Sequence, residues 1–344
     1  MTKISGQLTS NSKFFNKLEN KIGDITYRSL ANSVLKNVKN NKKFLKNGFS
    51  IKKLINYNYS NKNAIIVGAG PSLRRYDQTK TLKKYHKKFI IIACDGSLFY
   101  LLSNKIIPDL VVTFDPHPSR VIRWFGDLNL NKKKIRLDDY FSRQDLEIMF
   151  NDELIMNKKI IKLFNKYSNK IKIAIGTSSS KSVVKRLIGS NSKLYWWNPF
   201  LDDPDKKNST TKKIYKMNRL PIINTGGNVG STAWMLAESL FKCKKIGLLG
   251  MDFSYYIDTP VESTQYYDRL IKLTNKKNIN KFYSKVYNPK LKKYFYTDYV
   301  YSWYKKCFLE MIDNSSSITF NCSYGGIIFG KNIKWTSLIK FCKH

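Results

Sequence analysis

The chain has 344 residues, 42% of them hydrophobic, enough to bury a core as one large domain with an extension. Its 62 Lys+Arg against 24 Asp+Glu give a formal net charge of +38, which favours anionic partners such as nucleotides, sugar phosphates or membrane surfaces. Lysine is spread along the whole chain and the aromatics do not interleave with it as in a known nucleic-acid module, so nucleic acid ranks low among these partners.

Residues 1–60 carry spaced apolar side chains, from Phe14 and Phe15 through Ile22 to Val34 and Val38, among lysines. This predicts a basic helical extension that packs on the main domain, with peripheral contact to an anionic membrane as the alternative. Met1–Lys13 lacks the apolar stretch of a signal peptide and no apolar run is long enough to cross a bilayer, so a cytoplasmic location is expected. The five cysteines show no Cys-x-x-Cys spacing, so neither a disulfide framework nor a zinc site is indicated.

Asn63–Leu73 then reads as a strand, a tight turn and a helix start: four apolar residues, Ala64 to Val67, are broken by Gly68, Gly70 and Pro71. The two glycines allow positive φ and close backbone approach, and Pro71 suits a first helical position. Free amides of such a turn can hold a phosphate. Leu73 stands where a dinucleotide fingerprint has its third glycine, so Gly-x-Gly-x-x-Gly is incomplete and an ordinary turn fits equally well.

Further along, Phe89–Cys94 is a continuous apolar strand ending in Asp95-Gly96-Ser97, and Leu110–Phe114 is another, stopping at Asp115-Pro116-His117. A helical stretch over Arg143–Phe164 precedes strands at 171–175 and 193–197. Leu220–Ile223 leads into Asn224-Thr225-Gly226-Gly227-Asn228, a second glycine-rich turn opening a helix through Leu240. Lys245–Gly250 then forms a strand that delivers Met251-Asp252. A tyrosine- and lysine-rich final third holds a helix over Tyr299–Ile312 and a last strand, Ile318–Asn321.

Alternating strands and helices predict a doubly wound, mostly parallel Rossmann-like α/β sheet. The expected division is a basic helical extension at 1–60, a nucleotide-binding domain at 61–255 and a mixed α+β region at 256–344. Ligands of such sheets sit beyond the carboxyl ends of the strands, where every polar cluster named above falls.

The blocks Ile-Ile-Val-Gly-Ala-Gly-Pro-Ser-Leu, Ala-Cys-Asp-Gly-Ser, Pro-Asp-Leu-Val-Val-Thr-Phe-Asp-Pro, Gly-Gly-Asn-Val-Gly-Ser-Thr-Ala and Ile-Gly-Leu-Leu-Gly-Met-Asp-Phe-Ser-Tyr, in that order, resemble the domain catalogued as unknown-function family 115. That MptE-like domain is shared by archaeal 6-hydroxymethyl-7,8-dihydropterin diphosphokinases and bacterial motility accessory factors, counted as flagellin nonulosonate glycosyltransferases. Asn321–Gly330 resembles the closing block of the motility factors and favours that branch. Gly-x-Gly-Pro-Ser-Leu and Gly-Met-Asp-Phe are also similar to blocks of the CMP-sialic-acid-dependent sialyltransferases.

The resemblance implies that Gly68, Gly70, Pro71 and Ser72 hold nucleotide phosphate or ribose, with Gly226, Gly227 and Asn228 near the nucleotide. Asp95, Asp115 and Asp252 would face the ligand, as base or magnesium ligands, and His117 is an alternative base. The late histidine base of the sialyltransferases has no counterpart, because no histidine lies between His117 and His344. Two reactions fit: glycosyl transfer from a CMP-activated nonulosonate, which needs no metal, and diphosphoryl transfer from ATP with magnesium. A nucleotide-binding protein without catalysis is the third possibility. The acceptor is not legible in the residues.

Overall fold

The computed structural model describes residues 13–56, 63–137, 143, 152–274 and 278–343. Residues 1–12 of the expected extension and 144–151 of the expected Arg143–Phe164 helix lie outside them, and the rest of that helix forms at Glu153–Tyr167. Its cap is Asp152, whose carboxylate accepts from the Leu154 and Ile155 amides.

In chain order the strands are β1 (Gly48–Ser50), β2 (Asn63–Val67), β3 (Phe89–Cys94), β4 (Leu110–Thr113), β5 (Lys172–Gly176), β6 (Lys193–Pro199) and β7 (Ile222–Ile223). They continue as β8 (Lys245–Leu249), β9 (Tyr255–Tyr256), β10 (Tyr283–Asn288), β11 (Lys293–Asp298), β12 (Ile318–Asn321) and β13 (Ile333–Trp335). The main sheet runs β1-β6-β5-β4-β3-β2-β8-β12-β13, with β7 against β6. Every pairing in it is parallel. The chain lays strands outward from β2 to β6 and then returns to the other flank of β2 with β8, so the topological switch point lies between β2 and β8.

Both faces of this sheet are buried, which is why its strands read as unbroken apolar runs. Alternate residues feed two separate cores. Ile65, Val67, Ile91, Val111, Ile173 and Trp196 pack under the helices at 79–85, 98–103, 153–167, 181–189 and 338–343. Ala64, Ile66, Ile92, Val112, Tyr195 and Trp197 pack on the other face against Trp234 and Phe308, whose rings meet edge to face 5.5 Å apart. The sheet is thus doubly wound, as the alternation of elements predicts.

A second, antiparallel sheet, β10-β11-β9, closes over the carboxyl edge of the first. Its hairpin was not visible in the sequence, where Tyr, Lys and Asn mask a strand alternation. β1 was missed too: three residues carry no periodicity, and pairing with β6 makes them a strand.

The Lys13–Asn41 helix packs Phe15 and Ile22 into a tyrosine-rich core with Tyr255, Tyr283, Tyr296 and Tyr299, and Val34 and Val38 against Ile214. It also reaches the sheet edge. Asn41, fully buried, donates both amide hydrogens to the carbonyls of Thr177 (2.9 Å) and Ser179 (2.8 Å), and Asn37 donates to those of Pro116 (3.1 Å) and Ser178 (2.9 Å). Replacing Asn41 by Ala leaves two buried carbonyls without donors, and is expected to destabilise the protein by about 1–3 kcal/mol in urea unfolding. An unchanged urea midpoint would mean that apolar contacts alone hold the helix.

Candidate active site

The first glycine loop is occupied by the protein itself. Gly68 N donates to Leu249 O (2.8 Å), Gly70 N to Gly250 O (2.7 Å) and Leu73 N to Gly70 O (3.0 Å). The Ser72 amide and hydroxyl donate to the two oxygens of Asp252, at 2.7 and 2.5 Å. Neither Gly68 nor Gly70 has positive φ, contrary to the sequence expectation. They are glycine because the β8 loop passes too close: a Cβ on Gly68 would stand 2.5 Å from Gly250 O, and one on Gly70 2.7 Å from the Asp252 carboxyl carbon.

Asp252 is therefore a clamp between β2 and β8. Burial pushes its carboxyl up to about 6, against the lowering effect of the Ser72 hydrogen bonds. Gly326 lies over it, leaving no room for a side chain there. The amides of Gly68, Gly70 and Ser72 point into the protein, and what the loop presents outward is the half-buried edge Ala69-Gly70-Pro71. Ser72 and Asp252, both expected on a ligand, are bonded to each other.

The second glycine turn does face open space. Gly226 and Gly227 have φ of +53° and +82°, which lets the chain reverse before Asn228 caps the next helix by accepting from Ser231 N at 2.9 Å. Beside the turn is a cavity of about 690 Å3. Its walls are the carboxyl ends of β4 to β7, the stretch Gly23–Val34 of the first helix, and Trp303, Cys307 and Met311 of the Tyr299–Asp313 helix. Tyr27 pins the first helix there, donating to Asp202 at 3.0 Å.

A carboxylate pair stands at the neighbouring ends of β3 and β4. Asp95, at the end of β3, is buried and accepts from Gly96 N and from the Thr113 hydroxyl, both at 2.8 Å. Burial pushes its carboxyl up to about 7; the two hydrogen bonds oppose this and the nearby Asp115 charge adds to it. Asp115, at the end of β4, is half-buried, and its Oδ1 accepts from His117 N at 2.7 Å. Its Oδ2 meets no protein donor among the described residues. The residues on either side of it, Phe114 and Pro116, line the cavity. Tyr304 faces the pair, its hydroxyl pushed up to about 12 by burial, with Asp115 among the charges raising it. His117 stays in the same loop, its ring 3.3 Å from Ser119 N.

Of the sequence-predicted site residues, Gly226 and Gly227 line this cavity, and Phe114 and Pro116, on either side of Asp115 in the chain, line it too; Asp95, Asp115, His117, Asn228, Ser72 and Asp252 are not among its lining residues. The walls supplied by Tyr27, Phe200 and Trp303 had no sequence signature, since each lies far along the chain from the motifs. Arg123 is buried in an ion pair with Glu153 at 3.1 Å. Among the described residues no three His, Cys, Asp or Glu side chains form a metal-binding group. Both oxygens of Asp95 accept protein hydrogen bonds.

Fold and site define a doubly wound parallel α/β protein with a carboxylate pair at its strand ends. Residues 32–134, which include the first glycine loop, Asp95 and Asp115, match the family model described as 6-hydroxymethylpterin diphosphokinase MptE-like. The family 115 resemblance thus holds over that segment. No curated protein matches the chain. Among solved structures it is similar to the MAf glycosyltransferase from Magnetospirillum magneticum AMB-1, at 14% identity and a TM-score of 0.47, over 81% of this chain and 34% of that one. The chain thus spans about a third of that protein's length.

The buried carboxyls set a pH dependence. Asp95, Asp252 and Asp298 have folded pKa values of about 7, 6 and 6 against 3.8 unfolded. Each binds its proton more tightly when folded, so this stability is full below about 3.8 and is lost as pH rises through 6 to 7. Asp202 acts in the opposite sense: burial raises it, but hydrogen bonds from Thr211, Thr210 and Ser209 outweigh that, so its contribution is lost as pH falls below 3.8. The melting temperature is expected to fall between about pH 4 and 7, and Asp95→Asn to flatten that fall, measured by thermal denaturation. An identical slope in the variant would show that Asp95 carries no proton there.

Proposed function

We propose that the protein is a nucleotide-dependent transferase, a glycosyltransferase of the motility-accessory-factor kind that moves a nonulosonate sugar from a CMP-activated donor to an acceptor hydroxyl. The observation that supports this is the Asp95–Asp115 pair at neighbouring strand ends, in a loop whose Phe114 and Pro116 line the cavity bounded by the second glycine turn. The acceptor oxygen bonds to the anomeric carbon, the bond from that carbon to the CMP phosphate oxygen breaks with its electron pair leaving on CMP, and the hydroxyl proton passes to a base. Asp115 is that base. Its carboxylate is oriented by the His117 amide and has an oxygen without a protein donor among the described residues. A proton held on Asp95 removes the like charge facing it. The donor nucleotide lies between the exposed edge Ala69-Gly70-Pro71 and the second glycine turn, and a cytoplasmic location belongs to this reading.

The second reading, diphosphoryl transfer from ATP, is favoured by the family description over residues 32–134. It needs cations around the phosphates. Thermal-shift measurements with CMP, UDP, ADP and ATP, each with and without magnesium, separate the two, because a ligand of the folded state raises its melting temperature. CMP is expected to do so; a shift with ATP and magnesium alone would favour the diphosphokinase, and nucleotide binding without turnover a non-catalytic protein. Asp115→Asn is expected to lower the transfer rate by about 10²–10⁴-fold with the melting temperature retained. Full activity in that variant removes Asp115 from the mechanism.

A further inference from the structure

The cavity has a charge composition opposite to that of the chain. Across the sequence Lys and Arg outnumber Asp and Glu by 62 to 24, yet Asp24, Asp202, Glu238 and Glu310 line the cavity against Lys206 alone. A phosphate-bearing ligand would meet like charge here. Tyr27, Phe200 and Trp303 contribute aromatic rings to the apolar part of the lining.

The carboxylates are not equivalent. Asp202 is committed to the protein: it accepts from the Tyr27 and Ser209 hydroxyls and from the Thr210 and Thr211 amides, so it shapes the wall. Glu238 is half-buried and meets no protein donor among the described residues. It sits in a π-helical turn, Leu236–Leu240, within the helix that starts at the second glycine turn. Such an insertion breaks the regular helical register and is frequent at functional sites. Nearby, Asn224 lines the cavity with an exposed amide whose oxygen accepts from Gly226 at 3.1 Å.

We propose that this cavity is the acceptor site and that it takes an uncharged saccharide, its ring faces against the aromatics and its hydroxyls donating to Glu238. An ionised carboxylate only accepts hydrogen bonds, so it suits hydroxyl donors and rejects phosphates. Aromatic rings favour the apolar faces of a sugar. The volume of about 690 Å3 lies within the range of small-molecule sites. Phe114 and Pro116, which flank Asp115 in the chain, both line the cavity. The assignment as acceptor site rests on the transferase reading; the sugar preference of the cavity does not.

Trp234 and Trp303 both line the cavity, so intrinsic fluorescence of the full chain, without nucleotide, reports its occupancy. Titration with methyl glucoside and methyl galactoside is expected to give saturable changes, and glucose 6-phosphate none. Glu238→Gln, which keeps shape and melting temperature, is expected to weaken the glycosides about tenfold, the loss of one charge-assisted hydrogen bond. Equal or tighter binding of glucose 6-phosphate or glucosamine, no saturable change with either neutral glycoside, or unchanged affinity in Glu238→Gln overturns the proposal. Glycoside binding in a protein whose melting temperature CMP does not raise supports the sugar cavity while removing the CMP donor.

Discussion

A parallel sheet buried on both faces can place polar groups only where its strands end, and the chemistry of this protein follows from that constraint. Val67, Cys94, Thr113 and Gly176 are the last residues of strands packed on either side, and the loops after them carry the glycines, carboxylates and hydroxyls. At the switch point, where the loops of β2 and β8 part, a ligand crevice is the common outcome. Here the two loops bond to each other through Gly68, Gly70 and the Asp252–Ser72 pair. The open volume lies instead along the ends of β4 to β7.

That displacement gives the first helix a role in the site. It is not a detached basic arm: Asn37 and Asn41 hold the carbonyls of the loops after β4 and β5, and Tyr27 holds Asp202. Gly23 brings the same helix against Trp303, whose ring would lie 3.3 Å from a Cβ there. Trp303 in turn packs on Gly227. Two helices far apart in the chain therefore meet at the second glycine turn, and the position of each depends on the other.

Electrostatics divide the molecule. Its exterior charge is strongly positive, while the buried carboxyls at element ends, Asp95, Asp252 and Asp298, are pushed up by desolvation. Two of them serve the backbone: Asp252 receives Ser72, and Asp298 caps the Tyr299–Asp313 helix through the Val300 and Tyr301 amides. Asp95 differs in standing near a second carboxylate, Asp115. The same residue type thus serves the backbone at two strand or helix ends and is paired with a like group at a third.

By itself the sequence determined the sheet. Runs such as Phe89–Cys94 must be buried on both faces, and parallel strands require crossovers, so the fold class and the ends at Asp95, Asp115 and Gly226 were legible. Family blocks added the match over residues 32–134. What only tertiary structure decided was which of those ends are free. Gly68 and Gly70 look alike in a phosphate loop and in a loop that another backbone approaches, and Asp252 looks alike as a ligand-facing acid and as a clamp; the partner, Gly250 or Ser72, lies about 180 residues away. The cavity walls were equally illegible, since Tyr27, Phe200 and Trp303 come together through helix packing that no local pattern encodes.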